Sequence, residues 1–196
     1  MIVIGAGASG LLAAGKAAQE GAKVLLLEKM PKPGRKLGIT GKGRCNITNN
    51  LPASEFIKHV YPSGRFLKNA FSTFYHDDII ALLNELSVKT VLERGGRYYP
   101  ESGKATDVVK ALEKWVRQLS VKVHYNTSVD QIFTKDGEVV GLKCDEDKYF
   151  ARRIILATGG KSYPATGSTG DGFKLAAALG HEVVTPQPAL VPLHTS

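Results

Sequence analysis

The chain has 196 residues, 43% hydrophobic and 22% charged, with 21 glycines and 9 prolines, a globular composition that excludes a disordered or fibrous protein. Its length suits one substantial domain that buries roughly 70% of the surface its unfolded form exposes. The net charge of +8 and a pI near 9.5 would suit nucleic acid, an anionic membrane or a phosphate-bearing ligand, and only the motifs can choose among them.

In chain order, the short apolar run IVI (residues 2–4), the helical pattern LLAAGKAAQE and the apolar run KVLLLE predict strand, helix, strand. A cationic, glycine-rich stretch read as a loop follows. Helical segments are expected at residues 54–60, 65–74 and 77–86, with Asp77 or Asp78 as N-cap of the last. KTVLER reads as extended and GGRYYPESG as a loop punctuated by Gly and Pro. Residues 106–119 carry apolar positions at helical spacing with Thr106 as cap, and VKVHY reads as a strand. Asp136-Gly137 between two alternating runs predicts a hairpin, which KYFARR extends by a third strand before the buried strand IILAT. GGKSYPATGSTGDG is a Gly-rich segment ahead of the helix FKLAAALG, which Gly180 terminates. PQPALVPLHTS, residues 186–196, reads as the start of a connection to a further domain.

The first chemical signal is Gly5-Ala6-Gly7-Ala8-Ser9-Gly10. It matches G-x-G-x-x-G directly after a strand and at the opening of a helix, the context that gives this weak pattern its meaning. Gly5 permits the tight turn, Gly7 the approach of a pyrophosphate, and Gly10 close helix–strand packing, with the helix N-terminus supplying free N–H groups and partial positive charge. A helix of about eleven residues rises ~16 Å and the strand Lys23 to Glu28 runs back ~20 Å. Glu28 is therefore expected beside the glycine turn, where its carboxylate can accept from a ribose diol.

The second signal is GRKLGITGKGRCNITNN, residues 34–50, with four glycines, four cations and no acid; from Lys29 to Ser54 there are six Lys or Arg residues and no Asp or Glu. Such a stretch suits an anionic ligand, and Gly38, Gly41 and Gly43 would let backbone pass close to it. The fingerprint is common to NAD and FAD proteins, but the cationic insertion after the second strand and the hairpin before IILAT are features of flavin domains.

GRKLGITGKGRCNITN, GGRYYPESGKATDVV and ATGGKSYPATGSTGDG resemble segments of the BaiN-like NAD(P)/FAD-dependent flavoproteins, a bacterial family also described as aminoacetone oxidase-like. The resemblance runs along nearly the whole chain. It implies an α/β, Rossmann-like FAD-binding domain with a parallel sheet, a small antiparallel meander and extra helices. The family's C-terminal substrate domain and returning final strand are missing. It also implies that Gly5, Gly7, Ala8, Ser9, Gly10 and Glu28, with Lys29 beside them, bind the ADP half of FAD. Arg35, Lys36, Gly43 and Arg44 would lie along the cofactor, Val129 would offer backbone atoms to adenine, and Ala157, Thr158 and Gly159 would line the pyrophosphate side. Asp171 would sit where the last Gly-rich turn opens a helix. The implied activity is that of an oxidoreductase whose FAD is reduced by NAD(P)H or an organic donor and reoxidised by an organic acceptor or oxygen. A dinucleotide-binding module with little or no turnover is the second reading.

The remaining candidates are weaker. Cys45 lies in a cationic stretch that would favour a thiolate, yet it has no nearby second cysteine and reads as a small buried side chain. Cys144 is remote from it, so neither a disulfide framework nor a zinc site is suggested, and the five histidines show no metal-ligand spacing. Tyr98, Tyr99 and Trp115 read as core. The apolar N-terminus lacks the basic n-region of a signal peptide, and no run reaches the ~20 apolar residues of a membrane span. A soluble, cytoplasmic protein with a small-molecule substrate is expected, with no nucleic-acid or membrane partner and with self-association through its incomplete sheet. Nucleic acid is disfavoured because the cationic stretch lacks interleaved aromatics.

Overall fold

A computed structural model describes residues 1–188 of the protein. In chain order the elements are β1 (Ile2–Ile4), α1 (Ala8–Gln19), β2 (Leu25–Leu27), α2 (Arg35–Gly43), β3 (Thr48–Asn49), α3 (Ala53–Phe56), α4 (Lys68–Thr73), α5 (His76–Glu85), β4 (Thr90–Glu93) and β5 (Arg97–Pro100). There follow α6 (Ala105–Gln118), β6 (Lys122–His124), β7 (Gln131–Lys135), β8 (Glu138–Cys144), β9 (Asp147–Phe150), β10 (Ile154–Leu156) and α7 (Asp171–Ala178), with 3-10 turns at Ile57–His59, Gly64–Leu67 and Pro164–Thr166.

The central sheet runs β10-β1-β2-β6 and every pair in it is parallel. β1 is buried throughout, as expected of a strand covered on both faces. Its side chains alternate between the two cores. Val3 joins Leu11, Leu26, Leu112, Trp115 and Val116 under α1 and α6, while Ile2 and Ile4 join Leu27, Ile132, Leu142 and Leu175 under β7–β9 and α7. The molecule is thus a parallel sheet between a helical layer and a meander. Gly15 of α1 faces the Trp115 ring so closely that a Cβ there would collide with it; truncating so buried a ring to Ala costs about 3–5 kcal/mol.

The hairpin forms where the sequence predicts it, with Asp136 (φ 53°) and Gly137 (φ 79°) in the left-handed conformations of a type I′ turn. Four expectations are corrected. GGRYYPESG is not all loop: Arg97–Pro100 is β5, the middle of a second antiparallel sheet, β3-β5-β4. The cap of α6 is Lys104 and not Thr106. α5 follows Tyr75, and Asp78 acts in reverse by accepting the Tyr75 N–H at 2.6 Å. IILAT is an edge strand, with Ile154 and Ile155 half-buried and Leu156 38% exposed. The connection read over residues 186–196 falls, from residue 189 on, outside the described residues. Among those described, no helix is long and apolar enough to cross a membrane.

Candidate functional site

The site lies at the carboxyl ends of β1, β2 and β10, where a doubly wound sheet leaves a crevice. Gly5, at φ +100°, donates its N–H to Leu27 at 2.7 Å, and a Cβ there would sit 2.5 Å from the Ala157 carbonyl oxygen. A Cβ on Gly10 would strike the Gly5 carbonyl, so Gly10 is a packing glycine. Gly7 differs from both, since a Cβ there would meet nothing within 4 Å. It caps α1, whose first turn, Ala8 and Ser9, is exposed. The first helical bond runs from Leu11 to Gly7, which leaves the preceding N–H groups free to receive an anion.

Glu28 returns beside this turn, as the lengths of α1 and β2 require. Its carboxylate accepts the Ala6 N–H at 2.7 Å and the Met30 N–H at 2.8 Å. It lines two adjoining cavities. The larger, about 350 Å³, is walled by Gly5, Gly7, Ala8, Ser9, Arg35, Lys36, Ala157, Thr158 and Gly159, all expected from sequence. Ala6, Leu37 and Thr40 also line it, and Lys32, Gly34, Thr166, Gly167 and Ser168 complete it; sequence reading passed over these last five. Gly167, at φ +102° and against Met30, was legible only as one glycine of a Gly-rich segment. Ser168 is the only buried polar residue among those described, and nothing in its spacing announces that.

The smaller cavity is lined by Ile4, Leu27, Val129 and Leu175, with Thr127, Ser128, Lys29 and Asp171 among its polar groups. Lys29 Nζ spans the gap from β2 to α7, donating to Asp171 Oδ2 and Thr169 Oγ1, each at 2.6 Å. The Lys29 hydrogen bond, more than any other influence, holds the Asp171 carboxyl below its ordinary value.

The cationic stretch is organised differently from a loop. Gly34 (φ +62°) donates to Ala6 at 2.8 Å and starts α2, which presents Arg35 and Lys36 to the larger cavity. Arg35 also donates to the Ala165 carbonyl at 3.0 Å. Helical geometry stops at Thr40, and Gly41, Lys42 and Gly43 all take positive φ. The reversal carries Arg44 away: its guanidinium pairs with Glu93 and stacks 4.2 Å from the Tyr99 ring centroid. The bond from Arg44 lowers the Glu93 carboxyl below its usual range and raises the guanidinium in turn. Neither Gly43 nor Arg44 lines either cavity, whereas the other cofactor candidates except Gly10 do.

Cys45 is fully buried, and burial pushes its thiol up against the opposing Thr40 hydrogen bond. Cys144 is also buried, and burial together with Asp130, Asp145 and Asp147 pushes it up to about 11. Both thiols of the native protein should therefore react with an alkylating reagent near pH 8 at least ~100-fold more slowly than after unfolding. Labelling of Cys45 at the rate of an exposed thiol would restore a redox role for it. Among the described residues no group of three or more His, Cys, Asp or Glu could hold a metal ion.

The family described as "HI0933-like protein Rossmann domain" matches residues 1–189. The 3-dehydro-bile acid delta(4,6)-reductase of Clostridium scindens is 35% identical over 194 residues, covering 97% of this chain and 46% of the relative. The ribosomal RNA dihydrouridine synthase of Haemophilus influenzae is 29% identical over 195 residues, 97% of this chain and 48% of its own length. The chain thus spans about half the length of these curated relatives. Among solved structures, the open conformation of a flavocytochrome c3 fumarate reductase aligns with a TM-score of 0.66 at 22% identity, over 91% of this chain and 40% of that one, a likeness of fold. Matched along all but its last few residues, the chain belongs to the HI0933-like protein Rossmann domain family.

Proposed function

We propose that this chain is the FAD-binding portion of a flavin-dependent oxidoreductase. The observation that carries the reading is the open space over Gly7, bordered by the N-terminus of α1 on one side and by Arg35 and Lys36 on the other. A pyrophosphate placed there meets free N–H groups and two cations with no Cβ in the way. Glu28, between the two cavities, is positioned to accept from a ribose diol. Beside Glu28, the apolar side chains of Ile4, Leu27, Val129 and Leu175 offer a wall for a purine ring to rest against.

Bound FAD would supply the hydride chemistry, while the protein binds, orients and excludes water. The curated relatives are named for a delta(4,6)-reductase and a dihydrouridine synthase. Both names describe addition of hydrogen across a carbon–carbon double bond. That supports an electron-poor alkene as the acceptor, with NAD(P)H or an organic donor supplying the two electrons.

The half-buried strand β10 at the edge of the sheet favours a second reading, a module that holds FAD with little turnover and associates through this edge. Freshly isolated protein is expected to carry FAD, released on denaturation and approaching one per chain. Bleaching of the flavin band by NAD(P)H selects the enzyme; a stable, unbleached band in a self-associated protein selects the module. A protein that neither retains nor takes up FAD rejects both.

A further inference from the structure

Hydroxyl groups on the wall of the larger cavity are mostly occupied by the protein itself. Thr40 donates to the Leu37 carbonyl at 2.8 Å and Thr166 to the Tyr163 carbonyl at 2.7 Å. Thr169, just beyond, donates to Asp171 at 2.8 Å. Ser168 differs from all three. It is only 7% exposed, yet its hydroxyl makes no hydrogen bond among the described residues. The oxygen is not sealed inside the core, because Ser168 lines the larger cavity. A hydroxyl taken out of water and given no partner lowers stability, and folded proteins rarely carry one without a use for it.

The chain holds that hydroxyl in a fixed place. Gly167, at φ +102°, lies against Met30, and Gly170, at φ +85°, lies against Lys161. On one side of Ser168 the Ala165 carbonyl accepts from Arg35 at 3.0 Å; on the other, Lys29 grips Thr169 and Asp171 at 2.6 Å each. Facing it is Gly159, where an added Cβ would lie 2.9 Å from Ser168 Oγ and 3.9 Å from Lys36 Nζ. The hydroxyl and the ammonium thus converge on the space that Gly159 leaves empty. Lys36 takes part in no ion pair among the described residues. Two donors meeting in one corner call for an acceptor oxygen.

We propose that Ser168 Oγ and Lys36 Nζ together bind the phosphate on the flavin side of the diphosphate, the one farther from adenosine. The assignment rests on the flavin reading above and adds to it which phosphate these groups hold. Sheet order supplies the direction. In the order β10-β1-β2, Glu28 follows β2 and Gly159 follows β10, so they flank the Gly5–Gly7 turn from opposite sides. With the adenosine ribose at Glu28, the diphosphate runs across β1 toward β10, a step of ~4.8 Å between neighbouring strands. Its second phosphate arrives at Gly159. There the α1 N-terminus faces the diphosphate from one side, and Ser168 closes over it from the other.

The test is Ser168→Ala in the full chain. Because the hydroxyl has no protein partner to lose, the unfolding temperature without ligand should stay within about 2 °C of the parent. FAD and ADP should each bind about ten- to a hundred-fold more weakly, the value of a hydrogen bond to a charged oxygen. The preference for ADP over AMP should shrink by the same factor. In phosphorus NMR of bound FAD, the flavin-side signal should move and the adenosine-side signal stay. Lys36→Met should shift the same signal. A parent chain that binds neither FAD nor ADP removes the flavin reading and this assignment with it. A parent that binds FAD, with Ser168→Ala binding equally well, overturns the assignment alone. So does movement of the adenosine-side signal only, or a clearly cooler melt of the ligand-free variant, which would make the hydroxyl a structural group.

Discussion

Arg35→Glu combined with Lys36→Glu is expected to weaken FAD binding by about two to four orders of magnitude while leaving the unfolding temperature where it was. The size follows from two charge-assisted hydrogen bonds at roughly 1.5–3 kcal/mol each, ~3–6 kcal/mol together. The neutrality toward folding follows from location. Arg35 is exposed and Lys36 half-buried, both on the cleft side of α2 and outside either core. The one bond lost by the change is Arg35 to the Ala165 carbonyl, at an exposed site. Arg44→Ala is the instructive contrast, since Arg44 belongs to the same cationic run but rests on Glu93 and Tyr99. It should leave FAD affinity within about a factor of three and be felt, if at all, in stability. Flavin titration and thermal unfolding of the two proteins settle the matter. An unchanged dissociation constant in the Arg35/Lys36 variant removes these cations from the account of the site.

That contrast marks how far the sequence could be read. Gly5, Gly7, Gly10 and Glu28 were legible together because helix rise and strand rise are fixed quantities, so the length of a strand–helix–strand unit dictates which residue returns beside the turn. The Ala6 N–H to Glu28 bond is that arithmetic made visible. The hairpin at Asp136-Gly137 was legible because its turn residues must tolerate positive φ. The placement of Arg44 was not. It depends on a reversal in which Lys42, a residue with a Cβ, adopts φ 59° between Gly41 and Gly43, and no propensity announces a lysine there. β5 was missed for a related reason: RYYP sits between Gly95-Gly96 and Glu101-Ser102-Gly103, which read as punctuation. One of its partners is the two-residue strand β3, some fifty residues away. Non-local pairing, rather than local preference, makes that strand.

The other large effect separates two glycines three positions apart. Gly10→Ala should lower stability by about 3 kcal/mol or more, because the new methyl group meets the Gly5 carbonyl, a backbone atom that can yield only if α1 moves off β1. For a chain of this size that is a fall of about 6–12 °C in unfolding temperature. Gly7→Ala should do almost nothing to stability. Its φ of −77° and ψ of −170° are open to any residue, and its Cβ would meet no protein atom within 4 Å. The small gain from restricting the unfolded chain is offset by the poorer N-cap. Its cost should appear in the ligand instead, as a loss of about 10- to 100-fold in FAD affinity, for the methyl group fills the space through which a pyrophosphate approaches the main chain. The two variants therefore predict opposite pairs of readings: a cooler melt for Gly10→Ala, and an unchanged melt with weakened flavin binding for Gly7→Ala. Should Gly7→Ala bind FAD as tightly as the parent, the vacancy beside Gly7 is not where the diphosphate lies, and the cleft must take its ligand in some other pose.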